Sequence, residues 1–180
     1  QFIDFFRQVP GDWRAADASA VIPGIVGGGN GNGILDSVAG DPWIESTAVW
    51  EHLYKANFLS EDFLREIKVK GNEIVKVPIN AFGSRMLLFS SEDYYDVLKT
   101  PVARVGLVIG DGTPVSVLAK LDEKIDDGYP RSGVIRYVTP NGGTFGAFSQ
   151  SDESCVDAVR TPPVWITSNP QKKCNGIHLY

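Results

Sequence analysis

The segment 27–33, which reads Gly-Gly-Gly-Asn-Gly-Asn-Gly, constrains the fold of this 180-residue chain more than any other feature. Glycine loses more backbone freedom on folding than any other residue, so this run is unsuited to the interior of a helix or strand. It lies within a long connection, residues 10–42, that is rich in small residues. A loop of this length in a compact domain is usually functional or fixed by contacts. The apolar residues that we expect to fix it are Trp13, Val21, Ile22 and Ile25.

The glycine run could either bind a ligand or form a simple turned loop. A phosphate-binding loop is disfavoured because the Lys-Ser/Thr pair that ends such loops is missing. Calcium binding has more support, since Asn30, Asn32 and Asp36 alternate oxygen-bearing side chains with glycine, but the closing bidentate Glu of a calcium loop is absent. A tightly turned loop without a ligand is favoured, and calcium stays open as the alternative.

The first twelve residues predict a short amphipathic helix. Phe2, Phe5, Phe6 and Val9 recur at helical spacing. Pro10-Gly11 would end the helix, because proline cannot continue the hydrogen-bond ladder and glycine suits a C-terminal turn. We therefore expect a helix over residues 1–9.

Two further helices are expected. Asp41 as N-cap and Pro42 at the first helical position predict a helix that continues to Ala56. Thr113-Pro114 would begin another, with apolar residues on one face, which ends at Asp127-Gly128.

Strand-like runs occupy the middle and the later part of the chain. A hairpin turn at 70–73 separates the first two of them, and a turn at 140–143 separates the last two. The predicted strands are 67–69, 74–77, 86–89, 105–109, 134–138 and 144–148. This order of helices and strands predicts an α+β fold, and the length fits a single domain over residues 1–180.

Composition excludes several classes of protein. The net charge is −5 and no basic run is interleaved with aromatic residues, so a nucleic-acid partner is not expected. No run of about 18 apolar residues is present that would span a membrane.

The two cysteines, Cys155 and Cys174, both lie near the end of the sequence. Zinc binding is disfavoured because neither His52 nor His178 stands at ligand spacing from them. A disulfide is favoured, and it implies an oxidising compartment. Two free buried thiols are the alternative.

Acidic residues accumulate at the end of the helix predicted at 113–127. Asp122, Asp126 and Asp127 lie where the helix dipole is already negative, so compensation is expected. Salt bridges are favoured, with Arg131 and Arg136 the nearest cations beyond the helix. Solvated acids and a bound divalent cation are the alternatives.

Catalysis has little support in the sequence. Neither His52 nor His178 has a context suggestive of a Ser-His-Asp triad. The spacing of the many acids singles out no glycosidase pair. We expect a protein that is not an enzyme and has no cofactor, calcium excepted.

Several segments in a fixed order extend over nearly the whole chain. An apolar helix runs into Val9-Pro10-Gly11-Asp12, and the Gly/Asn-rich loop follows. A helix then carries Glu45 and Trp50-Glu51-His52-Leu53, and an acidic segment, Asp122 to Gly128, precedes Gly133. The cysteine pair completes the series. In this order the segments resemble the type IV pilins and the pseudopilins of type II secretion.

The resemblance implies a fold in which a long N-terminal helix packs on an antiparallel sheet through Phe2, Phe5, Phe6 and Val9. A long loop would join helix to sheet, and a disulfide would close the C-terminal region. The family's basic leader and its very hydrophobic half-helix are not in this sequence, so we expect a soluble ectodomain that lacks that half-helix.

The resemblance also implies function by assembly. The chain would be a structural subunit of a pilus or secretion pseudopilus, in surface filaments that serve adhesion, motility, DNA uptake or protein secretion. Its partners would be copies of itself or related pilins, and the missing helix would anchor the precursor in the bacterial inner membrane. The location would be an extracellular pilus or the periplasm. The alternative is a secreted or cell-surface binding module, either an adhesin or a glycan-binding protein that uses Trp13, Trp43 or Trp165.

Overall fold

The computed structural model describes residues 1–36, 38, 43–60, 65–68, 74–96, 100–110, 112–138, 155–170 and 173–180. The chain divides into two compact units. The first consists of Gln1–Pro78 and Leu87–Ser90, and the second of Ile79–Met86 and Ser91–Tyr180. That the two together form the single domain expected over residues 1–180 stays a prediction.

The first unit contains three helices, α1 (Phe2–Phe6), α2 (Ala15–Val21) and α3 (Ile44–Lys55). Helix α1 ends earlier than the expected stop at Pro10-Gly11, because Arg7 adopts a left-handed conformation with φ 57°. Helix α2 corrects the expectation that the connection 10–42 has no regular structure. Its sequence, AADASAV, is rich in alanine, the residue with the highest helix propensity.

The core of the first unit surrounds Phe2, which is 5% exposed. Its ring centroid lies 4.7 Å from that of Phe6 and 5.5 Å from that of Phe58. The other buried members of this core are Trp13, Ala18, Ile22 and Ile25. Three of the four residues expected to fix the connection are therefore buried. The fourth, Val21, is 58% exposed, because Ala18 and Ile22 share the inward face of α2, from which Val21 is turned away.

Among the described residues, the four apolar side chains expected to pack together on a sheet do not do so. The recorded neighbours of Phe2 and Phe6 lie in helices and turns. Phe5 is 77% exposed and Val9 is half-buried. The helix ends at Phe6, so only Phe2 and Phe6, one turn apart, face the core, and this arrangement corrects the prediction.

The first unit also contains a hairpin. As the sequence predicted, two strands form this hairpin: β1 (Arg65–Lys68) pairs antiparallel with β2 (Ile74–Val77). Arg65 lies opposite Val77. The expected turn at 70–73 and the expected cap Asp41-Pro42 lie outside the described residues. Strand β3 (Leu87–Ser91) alternates buried and half-buried residues, and its Phe89 contacts the ring of Trp43 at 6.0 Å between centroids.

The second unit holds the antiparallel sheet. Strand β10 (Gly176–Leu179) lies between β4 (Arg104–Val108) and β6 (Ile135–Tyr137), antiparallel to both. The α+β prediction is thereby confirmed at the level of mixed helices and antiparallel strands. The other elements of this unit are β5 (Thr113–Pro114), α4 (Val115–Ile125), β7 (Val156–Asp157), β8 (Val164–Trp165) and β9 (Lys173–Cys174).

The sequence predicted that Thr113 and Pro114 begin a helix, and the structure shows that this prediction is wrong. They form strand β5, which pairs with β9, and α4 begins only at Val115. The expected strand 144–148 and its turn at 140–143 lie outside the described residues.

A disulfide joins Cys155 to Cys174, as the sequence favoured. Both half-cystines are fully buried. They pack in a core with Leu118 of α4, Tyr137 of β6 and Trp165 of β8. In the part of the chain that is described, every helix is too short or too polar to cross a bilayer.

Replacing both half-cystines, by Cys155→Ala with Cys174→Ala, is expected to lower the free energy of unfolding by about 3 kcal/mol. The bond closes a segment with a sequence separation of 19, and its loss frees that segment in the unfolded chain. Urea denaturation of variant and wild type measures the change. Wild type reduced with dithiothreitol is the matched control, because it keeps both side chains, and equal midpoints in oxidised and reduced protein would contradict the prediction.

Candidate functional site

The backbone N–H groups of residues 26–36, which we call the glycine loop, donate hydrogen bonds to carboxylates, two of which are buried. The first is Asp12, which is 2% exposed. Its Oδ1 accepts the backbone N–H groups of Gly31 at 2.8 Å and Asn32 at 3.0 Å. Its Oδ2 accepts the N–H of Gly33 at 2.7 Å. One carboxylate thus fixes three successive peptide groups of the loop.

Glu45, in the first turn of α3, fixes the same loop at two other points. Its side chain is fully buried. Oε1 accepts the N–H of Asn30 at 3.0 Å, and Oε2 accepts the N–H of Asp36 at 2.7 Å. The two ends of the segment 30–36 are therefore bound to one side chain of α3.

The next turns of α3 fasten the beginning of the loop. Glu51 accepts the N–H groups of Val26 at 2.9 Å and Gly27 at 2.7 Å. The Nδ1 atom of His52 accepts the N–H of Gly11 at 3.0 Å, and its Nε2 lies 3.0 Å from the carbonyl oxygen of Gly27. Because a backbone N–H can only donate, Nε2 carries the ring proton and donates it to that carbonyl. We call Asp12, Glu45, Glu51 and His52 the loop clamp.

Burial shifts the pKa values of Glu45 and His52. It raises the pKa of Glu45, an effect that Asp12 and Asp36 reinforce and the two N–H donors oppose. Burial also lowers the pKa of His52, against the opposing effects of the Gly27 carbonyl and Glu51. A neutral imidazole is the form that the Gly11 contact requires, so geometry and burial agree on its charge state.

Two glycines show why small residues are needed around the clamp. Gly11 has φ +92°, and a Cβ there would lie 2.5 Å from the carbonyl oxygen of Glu45. A Cβ at Gly29 would overlap Oε1 of Glu45 and lie 2.7 Å from Cα of Asp12. The loop approaches the clamp so closely that side chains are excluded at these positions.

The structure brings together Asn30, Asn32 and Asp36, the three residues for which calcium binding was the alternative to a loop without a ligand. Asn30 Nδ2 and Asn32 Nδ2 donate to the two carboxylate oxygens of Asp36, at 3.3 and 2.9 Å. The amide oxygens of Asn30 and Asn32 accept the N–H groups of Asn32 and Ile34, at 2.9 and 2.8 Å. The oxygens that calcium would need are engaged within the loop, and calcium binding here stays a prediction.

Sequence reasoning did not assign the clamp. Asp12, Glu45 and His52 were noted as marks of the resemblance, without a contact for any of them. One sequence feature could have indicated the clamp. Glu45 and His52 are seven residues apart, which places them two turns apart on one face of a helix that follows a glycine-rich loop.

The second candidate region is the acidic cluster, Asp122, Asp126 and Asp127, at the end of α4. Asp122 is fully buried. Its Oδ2 accepts the indole N–H of Trp165 at 2.7 Å, and its Oδ1 accepts the N–H of Gly128 at 3.1 Å. Trp165 therefore ties strand β8 to the buried face of α4.

The other two carboxylates of the cluster also accept backbone N–H groups. Oδ2 of Asp126 accepts those of Val134 and Ile135, the latter at 2.8 Å. Oδ1 of Asp127 accepts that of Tyr129 at 2.9 Å. The compensation expected for acids at this helix end is thus supplied largely by the N–H groups of the segment that follows α4.

The salt bridges expected for these acids are not found among the described residues. The ion pair of Arg136 is with Asp96, at 3.7 Å. The guanidinium of Arg131 lies over the ring of Tyr95, 4.4 Å from its centroid. Within the described chain, the three carboxylates of the acidic cluster lie within 4.8 Å of one another, close enough to hold a metal ion; a bound cation stays a prediction.

Burial raises the pKa of Asp122 to about 6, and the neighbouring carboxylates of Asp127 and Asp126 add to the increase. The N–H groups of Trp165 and Gly128 act in the opposite direction. A buried carboxyl of this kind binds a proton more readily in the folded than in the unfolded chain.

The indoles that a glycan platform would use are buried. Trp13 and Trp43 are 8% exposed and Trp165 is 6% exposed. None of the three offers a ring face for stacking against a sugar, so this arrangement does not favour the glycan-binding alternative.

No protein-family model matches this chain, and no curated protein and no solved structure is significantly similar to it. Functional inference therefore rests on the contacts described above and on the order of segments along the chain.

Glu45→Gln is expected to lower the free energy of unfolding by about 1–3 kcal/mol. The amide NH₂ cannot accept a hydrogen bond, so the N–H of Asn30 or Asp36 would lose its buried acceptor. Hydrogen exchange should accelerate at these two amides, and urea denaturation measures the stability. Asp17→Asn, at an exposed position of α2, is the matched control and should change stability by less than about 0.5 kcal/mol. Equal exchange rates in the two variants would contradict the role of Glu45.

Asp122→Asn is expected to flatten the dependence of stability on pH. With a folded pKa of about 6 against an ordinary value of 3.8, the folded state binds more protons than the unfolded state between these values. Asp122 therefore stabilises the fold fully below about pH 4, and this contribution, up to about 3 kcal/mol, is lost as the pH rises through 6.

Unfolding free energies of wild type and the Asp122→Asn variant from pH 4 to pH 7 measure the effect. Glu45 and His52 titrate equally in both proteins, so the difference between the two slopes isolates Asp122. Glu123→Gln, exposed on the same helix, is the control for the exchange of a carboxylate for an amide on α4. A wild-type slope that persists in the Asp122→Asn variant would refute the assignment.

Proposed function

We propose that this chain is a structural subunit of a type IV pilus or a type II secretion pseudopilus. In this proposal its copies assemble into helical surface filaments for adhesion, motility, DNA uptake or protein secretion, and the subunit catalyses no reaction. The order of segments along the chain, from the apolar N-terminal helix to the cysteine pair, is the basis of the proposal.

The hydrogen bonds of the loop clamp support the proposal that the subunit catalyses no reaction. Asp12, Glu45 and His52 are groups that often perform acid–base chemistry. Here each is buried, and its polar atoms are hydrogen-bonded to backbone groups of the glycine loop or of Gly11. Side chains used in this way build a rigid loop, which suits a subunit that presents a surface to its neighbours.

Exposed apolar side chains on a well-packed unit support assembly. Ile3 is 52% and Phe5 is 77% exposed on α1, and Val26 of the glycine loop is 82% exposed. Where such side chains form a contiguous patch, they mark a surface on which another protein packs.

The proposal also implies the other features of the pilin family. The short helix α1 would continue a longer apolar helix upstream, which anchors the precursor in the bacterial inner membrane and packs against its copies in the filament. The partners are copies of this chain or related pilins, and the location is an extracellular pilus or the periplasm. No cofactor is needed.

The coding sequence upstream of Gln1 gives the most direct test. We expect a short basic leader, a glycine at the cleavage site and about 20 apolar residues, enough to span a bilayer. Surface filaments from the native host should then be labelled by antibodies to this chain in electron microscopy, and deletion of the gene should remove the label. An upstream region without these features would overturn the proposal. So would a protein that never polymerises and whose tryptophan fluorescence is quenched by sugars.

A further inference from the structure

The glycine loop contains two consecutive Asn-Gly pairs, Asn30-Gly31 and Asn32-Gly33. Asparagine is a thermolabile residue, and it reacts most readily before glycine, because the backbone nitrogen of glycine has no side chain beside it to shield it. Gly31, Asn32 and Gly33 are exposed to solvent, and Asn30 is half-buried. Exclusion of water therefore does not protect these two pairs.

The reaction open to an Asn-Gly pair is deamidation through a cyclic imide. The backbone nitrogen of the glycine bonds to Cγ of the asparagine, and the bond from Cγ to the side-chain nitrogen breaks. The proton of the glycine N–H leaves with that nitrogen as ammonia. Water then adds to one of the two imide carbonyls and opens the ring, which gives aspartate or isoaspartate. The reaction needs a glycine N–H that can lose its proton, a Cγ that can reach the nitrogen, and a side-chain amide that is free to move.

Asp12 holds both glycine nitrogens in their protonated form. The N–H of Gly31 donates to its Oδ1 at 2.8 Å, and the N–H of Gly33 donates to its Oδ2 at 2.7 Å. Removal of either proton would leave a negative charge in contact with a carboxylate, and a neighbouring like charge disfavours ionisation. The nucleophile of the reaction is therefore suppressed at both pairs by one side chain.

Asp36 holds the side chains that would be attacked. Its two carboxylate oxygens accept the side-chain N–H groups of Asn30 at 3.3 Å and of Asn32 at 2.9 Å. The amide oxygens of the same two residues accept the backbone N–H groups of Asn32 and Ile34. Both polar atoms of each amide are thus bound, and a rotation that carried Cγ toward the glycine nitrogen would break these hydrogen bonds.

We propose that the glycine loop is a deamidation site that the fold keeps closed, and that Asp12 is the residue that blocks it. Isoaspartate would add one carbon to the backbone, so that the N–H groups of Gly31, Asn32 and Gly33 would no longer all reach Asp12. The modification would therefore release the loop from its clamp. This inference concerns the chemical lifetime of the loop and does not depend on the proposed filament function.

The two pairs do not depend equally on the carboxylate of Asp12. The N–H of Gly31 also donates to the backbone carbonyl oxygen of Asp12, at 2.9 Å, and a side-chain substitution leaves that acceptor in place. Within the described residues, Oδ2 of Asp12 is the one acceptor of the Gly33 N–H. Loss of the carboxylate should therefore open Asn32-Gly33 to reaction more than Asn30-Gly31.

The wild-type chain provides the first test. Folded protein and the same chain unfolded in guanidinium chloride are incubated in mildly alkaline buffer, and peptide mass spectrometry gives the deamidation rate at Asn30 and at Asn32. Both sites should react at least about 100-fold more slowly in the folded chain, which corresponds to about 2.7 kcal/mol in the barrier. Equal rates in folded and unfolded chains would overturn the proposal. Products should include isoaspartate, and aspartate alone would instead show direct hydrolysis and overturn the role of the glycine nitrogens.

Asp12→Asn tests the blocking residue, since it keeps the shape of the side chain and replaces one acceptor oxygen by an NH₂ group. Each rate is expressed relative to that of the same variant when unfolded. The rate at Asn32 should rise by about tenfold, the effect of about 1.4 kcal/mol in the barrier, and the rate at Asn30 by less. Asp17→Asn, the same change at an exposed position of α2, is the control and should leave both rates at the wild-type value.

The unequal rise separates local release from unfolding. Unfolding of the first unit by Asp12→Asn would bring Asn30 and Asn32 alike to the rates of the unfolded chain. An equal rise at the two sites, or no rise at Asn32, would overturn the role of Asp12. A fall in the rate at Asn32 would overturn it as well, because Asp12 would then act as a base that assists the reaction.

Discussion

Buried carboxylates that accept backbone N–H groups are the interaction on which the first unit depends. A loop rich in glycine has few side chains with which to fix itself, and its peptide groups must find acceptors wherever they are removed from water. Asp12 and Glu45 supply those acceptors for five N–H groups of the loop. Hydrogen bonds to a charged carboxylate are stronger than those between neutral groups. They therefore allow a glycine-rich loop to adopt one defined conformation.

The same solution recurs in the second unit. The acids at the end of α4 lie where the helix dipole makes negative charge unfavourable, yet they accept N–H groups of the segment that leaves the helix, and Asp122 accepts the indole N–H of Trp165. The disulfide then fastens β9 to the residue that precedes β7. In both units, buried acidic side chains therefore accept backbone N–H groups, most of which belong to segments outside the strands.

This use of acidic groups bears on function. A carboxylate that needs its oxygens for the backbone is poorly placed to transfer protons or to bind a substrate. The proposed assembly into filaments rests instead on the surface, where Ile3, Phe5 and Val26 are exposed.

The sequence by itself determined the α+β class, the strands β1 to β4 and β6, the cysteine pairing and the absence of regular structure in the glycine run. The helices, strands and loops follow from periodicity and turn chemistry, which depend on residues close together in the sequence. The cysteine pairing follows because two cysteines can form only one intramolecular disulfide. Only the tertiary structure decided that Phe5 faces solvent, that Arg136 pairs with Asp96, and that Asp12 meets Gly31 and Gly33. Such contacts join residues far apart in the chain, and residue spacing carries no information on which buried N–H a carboxylate will reach.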